Sequence, residues 1–421
     1  MGASDLALFG GCPVVGERFP PYSSLGEEEA LAAASVVRSG ELSGYVGDAG
    51  PGFMGGRRVK ALEAQAAALF GVKHCLAVNS WTSGLICAVG ALGLEPGDEV
   101  ITSPWTMAAT ATSVLHSSAV PVFADIDCRT FNLDPASVAQ RITARTRAVL
   151  VPDIFGQSAD IEALRRLAED HGLRLLSDTA QAPLATRRGR LAGTMTDIGG
   201  YSLNHFKHVT CGEGGLIVTG DDAAAERMAL IRNHGEVLLG RGVRPVPRHG
   251  IMGYNFRLGE IEAAIAGIQL TKIPGQVASR QAAAERLTKT LNQLRGLQTP
   301  YVDDGNTHVY YIYPLILDPL ELGVSRSRVF EALTAEGVTG LFEGYQNIHR
   351  LPLFVEHLAY GSRGFPYDPG SRADPCPVAE RLHEQILCLG LCTHEFGEHQ
   401  TDLVAQAFAK VWDHLDELRA D

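Results

Sequence analysis

The sequence predicts an α/β protein whose larger domain is built on a mostly parallel sheet flanked by helices. Three observations carry this. Short apolar, β-branched runs alternate with helical stretches between His74 and Asn233, which is the signature of βαβ units. Runs such as Val120–Ala124 and Ala148–Val151 are continuously apolar, as expected of strands covered on both faces. The chain of 421 residues exceeds the roughly 100–200 residues of one domain, and beyond Gly305 the pattern becomes mixed. We therefore expect an N-terminal arm (1–30), a large α/β domain (31–270) and a smaller C-terminal α+β domain (271–421).

The elements follow in order. Glu27–Arg38 is rich in Ala and Glu and reads as a helix; Ser39–Gly56 is a Gly-rich loop; Val59–Phe70 is a second, amphipathic helix. Strand His74–Val78 is followed by a helix from Ser80 to Leu92, strand Glu99–Thr102 by a helix over Ala108–His116. Strands are then expected at Val120–Ala124, Ala148–Val151 and Leu173–Leu176, with a helix over Ile161–His171 between the last two. Ile198–Leu203 and Gly215–Val218 read as short strands, and Ala223–Asn233 as a helix. Gly240–Gly250, with Arg241, Arg244 and Arg248 among prolines, reads as a loop. Helices are expected at Leu258–Leu270 and, separately, at Gln276–Leu294. Val309–Leu317 reads as a strand, Ser327–Glu336 and Leu403–Leu418 as helices. Connections between parallel strands should be right-handed, with ligands at the strand C-termini.

Composition excludes several classes. With 36 basic against 48 acidic residues, the net charge of −12 argues against nucleic acid as a partner, because phosphate backbones select clustered Lys and Arg. No apolar run reaches the roughly 18 residues of a membrane span. Met1–Pro13 lacks a basic stretch followed by an apolar one, so no secretory signal is expected. The eight cysteines form no C-x-x-C and no metal-ligand set, so reduced thiols in a cytoplasmic protein are expected, without a metal. Gly50-Pro51-Gly52-Phe53-Met54-Gly55 matches G-x-G-x-x-G, but no apolar strand precedes it and Gly71 lies where a ribose-binding acid belongs. Nicotinamide binding is set aside.

The informative segment runs from Ser177 to Gly215. A strand delivers Asp178 at its C-terminal end, with Gln181 three residues later; Tyr201-Ser202-Leu203-Asn204-His205-Phe206-Lys207 then precedes Cys211-Gly212-Glu213-Gly214-Gly215. A Lys after a buried strand can lose its proton and act as a nucleophilic amine. An Asp at a strand end can hold the protonated ring nitrogen of pyridoxal phosphate. Taken singly, Asp178 could instead cap a helix and Lys207 lie on the surface.

In this order and spacing, the residues resemble the DegT/DnrJ/EryC1/StrS aminotransferases, sugar and cyclitol enzymes of pyridoxal-phosphate fold type I. Further markers are Leu94-Glu95-Pro96-Gly97-Asp98-Glu99-Val100, Phe123-Ala124-Asp125-Ile126, Gly253-Tyr254-Asn255-Phe256-Arg257 and Cys376-Pro377. The resemblance spans about Ser23 to Val411 and implies a sheet of the seven-stranded type. It implies pyridoxal 5′-phosphate as cofactor, with Lys207 as the Schiff-base lysine and proton carrier. Asp178 would pair with the ring nitrogen, Gln181 would lie near the phenolic oxygen, and Ser202 would meet the phosphate. Ser80-Trp81-Thr82-Ser83 falls in the phosphate turn, with Thr82 and Ser83 as ligands at a helix N-terminus; Ser80 also reads as an ordinary N-cap. Asn255 would reach the phosphate from the neighbouring subunit, which implies a homodimer with shared active sites.

The chain departs from the family pattern in places. Met107 stands where an aromatic usually stacks on the cofactor, with Trp105 two residues earlier as the second choice. Pro183 replaces a common His, and Trp81 sits in a turn that is usually small. For substrate contacts the resemblance suggests the Ser43–Gly56 loop, Tyr201, Asn204, His205, His308 and His349, each of which could equally be structural. Arg241, Arg244, Arg248 and His249 could meet a nucleotide diphosphate, a carboxylate or a second subunit, or form a solvated basic face. The implied activity is ping-pong transfer of an amino group from glutamate or glutamine to a keto-sugar or keto-cyclitol, with a lean towards aminoglycoside-type antibiotic synthesis. A dehydratase of the same fold would carry His in place of Lys207, and a silent partner subunit would not need the matched set.

Overall fold

The structure, a computed structural model, describes residues 5–48, 50–235, 251–368 and 374–419. The basic loop expected around Arg241–His249 lies outside the described residues.

The larger sheet has seven strands: β1 (His74–Val78), β2 (Glu99–Thr102), β3 (Val120–Phe123), β4 (Thr146–Pro152), β5 (Arg174–Asp178), β8 (Ile198–Ser202) and β9 (Gly215–Thr219), in the order β1-β9-β8-β5-β4-β2-β3. Strand β9 is antiparallel to both of its neighbours; the other pairs are parallel. A small hairpin, β6 (Thr186–Arg187) and β7 (Arg190–Leu191), separates β5 from β8 in the chain. The strands are buried as the continuous apolar runs predict: Val149, Leu150 and Val151 are each at most 1% exposed, and burying such a side chain is worth about 1.5–3 kcal/mol.

Helices α1 (Glu27–Ser39), α2 (Arg57–Phe70), α3 (Trp81–Ala91), α4 (Ala108–His116), α5 (Pro135–Arg141), α6 (Ile161–His171) and α7 (Asp222–Arg232) surround this sheet. Helix α6 shows the local logic. Asp160 caps it by accepting from the Ala163 amide, Ile161, Leu164 and Ala168 form its buried stripe, and Gly172 ends it at φ 66°. A buried ion pair ties three elements together. Arg232 of α7, 0% exposed, donates to Glu63 of α2, and the amide and carbonyl of Ala77 in β1 bond to Glu63 and Arg232 at 2.9 and 2.8 Å. This clamp holds the end of β1, from which the Ser80 turn departs.

The second sheet is antiparallel: β10 (Leu297–Gln298), β11 (Tyr313–Leu317), β12 (Leu341–Glu343) and β13 (Ile386–Leu389), in the order β10-β11-β13-β12. Two expectations are corrected between the sheets. The helices expected at Leu258–Leu270 and Gln276–Leu294 are one helix, α8 (Glu260–Leu291), with Pro274 inside it. Proline removes a donor and crowds the preceding turn, so the sequence reads as a break. Packing of α8 against α1, α2 and the helix Glu398–Asp413 carries the helix through it, with Ile273 and Val277 buried on either side. The boundary expected at residue 270 falls within this helix.

The strand expected over Val309–Leu317 begins only at Tyr313. Before it, the Val309 and Ile312 amides donate to the carbonyls of Gly156 and Phe155 at 2.8 and 3.1 Å, and Tyr310 has φ 52°. These four residues leave the small sheet to pair with a loop of the large one. The last expected helix is divided into Glu398–Asp413 and Leu415–Leu418. No helix among the described residues is long and apolar enough to cross a membrane, and all eight cysteines are free.

Candidate functional site

A cavity of about 530 Å³ lies at the C-terminal ends of β5 and β8, against the N-terminus of α3. This is where ligands collect in open α/β sheets, and the volume falls within the roughly 300–1,000 Å³ of small-molecule sites. Asp178 and Ser202 are the last residues of β5 and β8, which are adjacent and parallel, so both side chains lie at the same C-terminal end of the sheet.

Asp178 is 6% exposed, and each of its oxygens is held. The indole N–H of Trp81 donates to Oδ1 at 2.7 Å and the Thr110 hydroxyl to Oδ2 at 2.7 Å. The Ala180 amide adds a bond to Oδ1 at 3.2 Å. Thr110 is itself 2.7 Å from the Thr106 hydroxyl. Beneath them, burial pushes the Asp153 carboxyl up to about 6 despite hydrogen bonds from Thr179 and the Ala159 amide, with the nearby Asp178 charge adding to the rise.

Lys207 lines the same cavity. Its Nζ lies 4.1 Å from the centroid of the Tyr311 ring. Burial lowers its ammonium to about 8, while the attraction of Asp178 works in the opposite direction. An amine at that value is partly unprotonated at neutral pH, as a nucleophile requires. The turn at Ser80 is capped: the Ser83 amide donates to Ser80 Oγ at 3.1 Å, and the two hydroxyls lie 3.0 Å apart. Thr82 is exposed and lines the cavity, as do Ser80 and Trp81. Ser83 is buried in the cap and lies outside the lining.

Several expected residues converge here: Lys207, Asp178, Gln181, Ser202, Thr82, Met107, Asn204 and His205 all line the cavity. Gln181 spans it, accepting from the Phe155 amide at 2.7 Å and donating to the Tyr345 hydroxyl at 3.2 Å. Met107 is 64% exposed. Trp105 is corrected: it is 0% exposed, bonds through its indole to Asn347 at 2.8 Å and packs among Phe131, Phe155 and Tyr345. Tyr201 is also turned away, stacked on Phe70 at 4.0 Å with its hydroxyl on the Ala192 carbonyl. His308 accepts from the Tyr310 amide and is lowered by burial to about 3. His349 is fully buried, with Nε2 3.0 Å from Glu380. Neither histidine reaches the cavity, nor do the described residues of the Ser43–Gly56 loop. Asn255 is exposed and outside the lining, with its side chain bonded to Arg257 at 2.8 Å.

Sequence reasoning missed Thr110 and the wall formed by Tyr311, Ile312, Phe342 and Tyr345. Those four come from the region of the small sheet, over 100 positions from Lys207, so no local spacing announces them. Glu213, immediately before Gly214-Gly215, lines the cavity and accepts from Asn204 at 2.9 Å.

This donor set suits pyridoxal phosphate. A partly unprotonated amine and a doubly held carboxylate share one cavity, and a helix N-terminus with a free-facing hydroxyl borders it. Comparisons with known proteins agree. Residues 45–408 match the DegT/DnrJ/EryC1/StrS aminotransferase family. A putative L-glutamine:3-amino-2,3-dideoxy-scyllo-inosose aminotransferase of Streptoalloteichus tenebrarius is 36% identical over 439 residues, covering 99% of this chain and 100% of that protein. An L-glutamine:2-deoxy-scyllo-inosose aminotransferase of the same organism is 34% identical over 434 residues, 99% of each chain. The crystal structure of DesI in the presence of its TDP-sugar product superposes with a TM-score of 0.81 at 29% identity, covering 99% of this chain and 98% of that one. With its fold, its cavity and a match over most of its length, the chain belongs to the DegT/DnrJ/EryC1/StrS family and is a pyridoxal-phosphate-dependent aminotransferase.

Proposed function

We propose that this enzyme moves the amino group of L-glutamine to the ketone of a free cyclitol of the inosose type, as a step towards an aminocyclitol of an aminoglycoside-type antibiotic. The carrying observation is Lys207 with its lowered proton affinity in one cavity with Asp178. Two features favour a neutral cyclitol over a nucleotide-linked sugar. Glu213 lines the cavity beside Lys207 and Asn204, and a carboxylate there repels a diphosphate while accepting hydrogen bonds from ring hydroxyls. The relatives that match from end to end are named for L-glutamine and inososes.

In this reading each residue has a defined task. Pyridoxal phosphate, when bound, supplies an electron sink for charge developing at the substrate carbon. Lys207 holds the cofactor covalently through Nζ. Released by the incoming amine, the same Nζ takes the α-proton of the donor and later returns a proton to the acceptor carbon. Asp178 holds the proton of the ring nitrogen. The backbone N–H groups at the start of α3, with Thr82 and Ser202, hold the phosphate. Met107 covers the ring with a soft sulfur contact, and Gln181 orients the phenolic oxygen. Asn255 completes the phosphate site of a second subunit in a homodimer, which accounts for an exposed polar residue outside its own cavity.

The test is direct. Purified enzyme is incubated with L-glutamine or glutamate and either scyllo-inosose derivatives or TDP- and UDP-linked keto-sugars, and the amine product is followed by mass spectrometry. Turnover of inososes with glutamine is expected. Turnover confined to nucleotide-linked sugars would overturn the acceptor, and no amine from any ketone would overturn the whole reading.

A further inference from the structure

Trp81 is the first residue of α3, next to the Ser80 cap, and its side chain is far larger than a helix start requires. It is 6% exposed. Its ring runs back under the sheet edge, where the indole N–H meets Asp178 Oδ1 at 2.7 Å. Glycines make the room. A Cβ at Gly200 would fall 2.1 Å from Trp81 Cη2, and one at Gly84 2.5 Å from its Cε3. A Cβ at Gly215 would fall 2.8 Å from the Trp81 backbone. Gly84 lies within a helix, Gly200 and Gly215 within strands, where glycine weakens the element that carries it. A ring that merely filled space would not need an oriented N–H aimed at a buried carboxylate.

We propose that Trp81 is a positioning residue. Its indole N–H, working with the Thr110 hydroxyl on the other oxygen, fixes the rotation of the Asp178 carboxylate so that it faces the cofactor's ring nitrogen. This rests on the role given to Asp178 above. The two side-chain donors come from different elements, the start of α3 and α4, so the carboxylate is braced between the phosphate end of the site and the helix after β2. Without Trp81, Oδ1 keeps only the longer bond from the Ala180 amide, and without Thr110, Oδ2 loses its hydroxyl donor. A phenyl ring at position 81 keeps an apolar ring and removes the brace, and benzothienylalanine removes the brace while keeping the full bicyclic bulk.

The experiment is a cycle of four proteins: wild type, Trp81→Phe, Asp178→Asn and the double variant. Each apoenzyme is titrated with pyridoxal 5′-phosphate by absorbance, and the loaded forms are mixed with L-glutamine to give the rate and KM of the first half-reaction. Trp81→Phe should weaken cofactor binding and slow the half-reaction by about tenfold each, with the glutamine KM changed less than about twofold, since a lost hydrogen bond to a charged group is of that order. On Asp178→Asn, adding Trp81→Phe should remove less than half as much affinity, because the contact it breaks acts through the carboxylate. A loss of half or more on that background, or wild-type behaviour of Trp81→Phe, overturns the inference. Should Trp81→Phe fail to fold, benzothienylalanine at position 81 decides the matter. It keeps the indole shape with sulfur in place of N–H, and it must reproduce the tenfold losses or the inference falls. If Asp178→Asn itself matches wild type in both readouts, the role given to Asp178 is wrong and this inference goes with it. A silent position 81 beside a damaging Asp178→Asn overturns only the present inference.

Discussion

The amine of Lys207 lies over the face of Tyr311, 4.1 Å from the ring centroid, so a residue outside the cofactor-binding sheet touches the reactive group directly. The ring face attracts the ammonium, as does Asp178, while burial opposes charge and holds the group at about 8. Capture of pyridoxal 5′-phosphate by apoenzyme should therefore rise with pH through about 8 and level off above it, since the unprotonated amine reacts. Removing an attraction must lower the midpoint. Tyr311→Leu and Asp178→Asn should each shift it down, measured by borohydride trapping of the adduct at position 207. A wild-type midpoint near 10 would show that burial is not felt.

Lys207→Ala removes the amine altogether. It should abolish covalent attachment and cost at least about a thousandfold in kcat, as loss of a covalent and general-base group does. The melting temperature of the variant, read alongside, shows whether the fold survives the change.

Trp105 and Met107 separate stability from cofactor contact. Trp105→Ala opens a hole in a fully buried cluster and should cost about 3–5 kcal/mol in denaturant unfolding. Met107→Ala, at a site 64% exposed, should change stability by less than about 0.5 kcal/mol. It should weaken cofactor binding two- to tenfold, about the worth of a sulfur–ring contact. The opposite pattern would put Trp105 on the cofactor.

The Arg232–Glu63 pair is a structural clamp. Arg232→Met leaves Glu63 buried without its cation and should destabilise the protein by about 3–5 kcal/mol. Changing both, with Glu63→Leu, should recover most of the loss, because no buried charge then remains. Chemical denaturation of the three proteins checks this.

Glu29 should make stability fall in acid. Burial would raise its carboxyl, but hydrogen bonds from Lys272, Gln269 and the Gly26 amide outweigh it and hold the group at about 2. The folded value lies below the unfolded one, so its contribution is complete above about 4.5 and is lost as pH falls towards 2. Glu29→Gln should remove that part of the pH dependence and lower stability at pH 7 by about 2 kcal/mol. Thermal melts between pH 2 and 7 would reveal it.

What the sequence disclosed was local. Asp178, Gln181, Ser202 and Lys207 lie within thirty positions of one another and are placed by strand ends, which periodicity finds. Of the two readings open for Tyr201, the structure favours packing, and a rule gives the reason: neighbours in a strand face opposite sides, so when Ser202 enters the cavity Tyr201 leaves it. Trp105 was drawn inward by packing against Phe155 and Tyr345, contacts that no spacing encodes. Tyr311 was hidden because Val309–Ile312 abandons one sheet for the loop of another, a tertiary event that overrides strand propensity.

Helix α8 has a mechanical consequence. Its 32 residues make a spar about 48 Å long, gripped by α1 and α2 at one end and by Glu398–Asp413 at the other. A spar shared in this way joins the two halves of the chain through one continuous helix, and Pro274 is the position in it where a bend costs least. The cavity beside it keeps three large apolar side chains, Met107, Phe206 and Phe342, each of them more than a third uncovered.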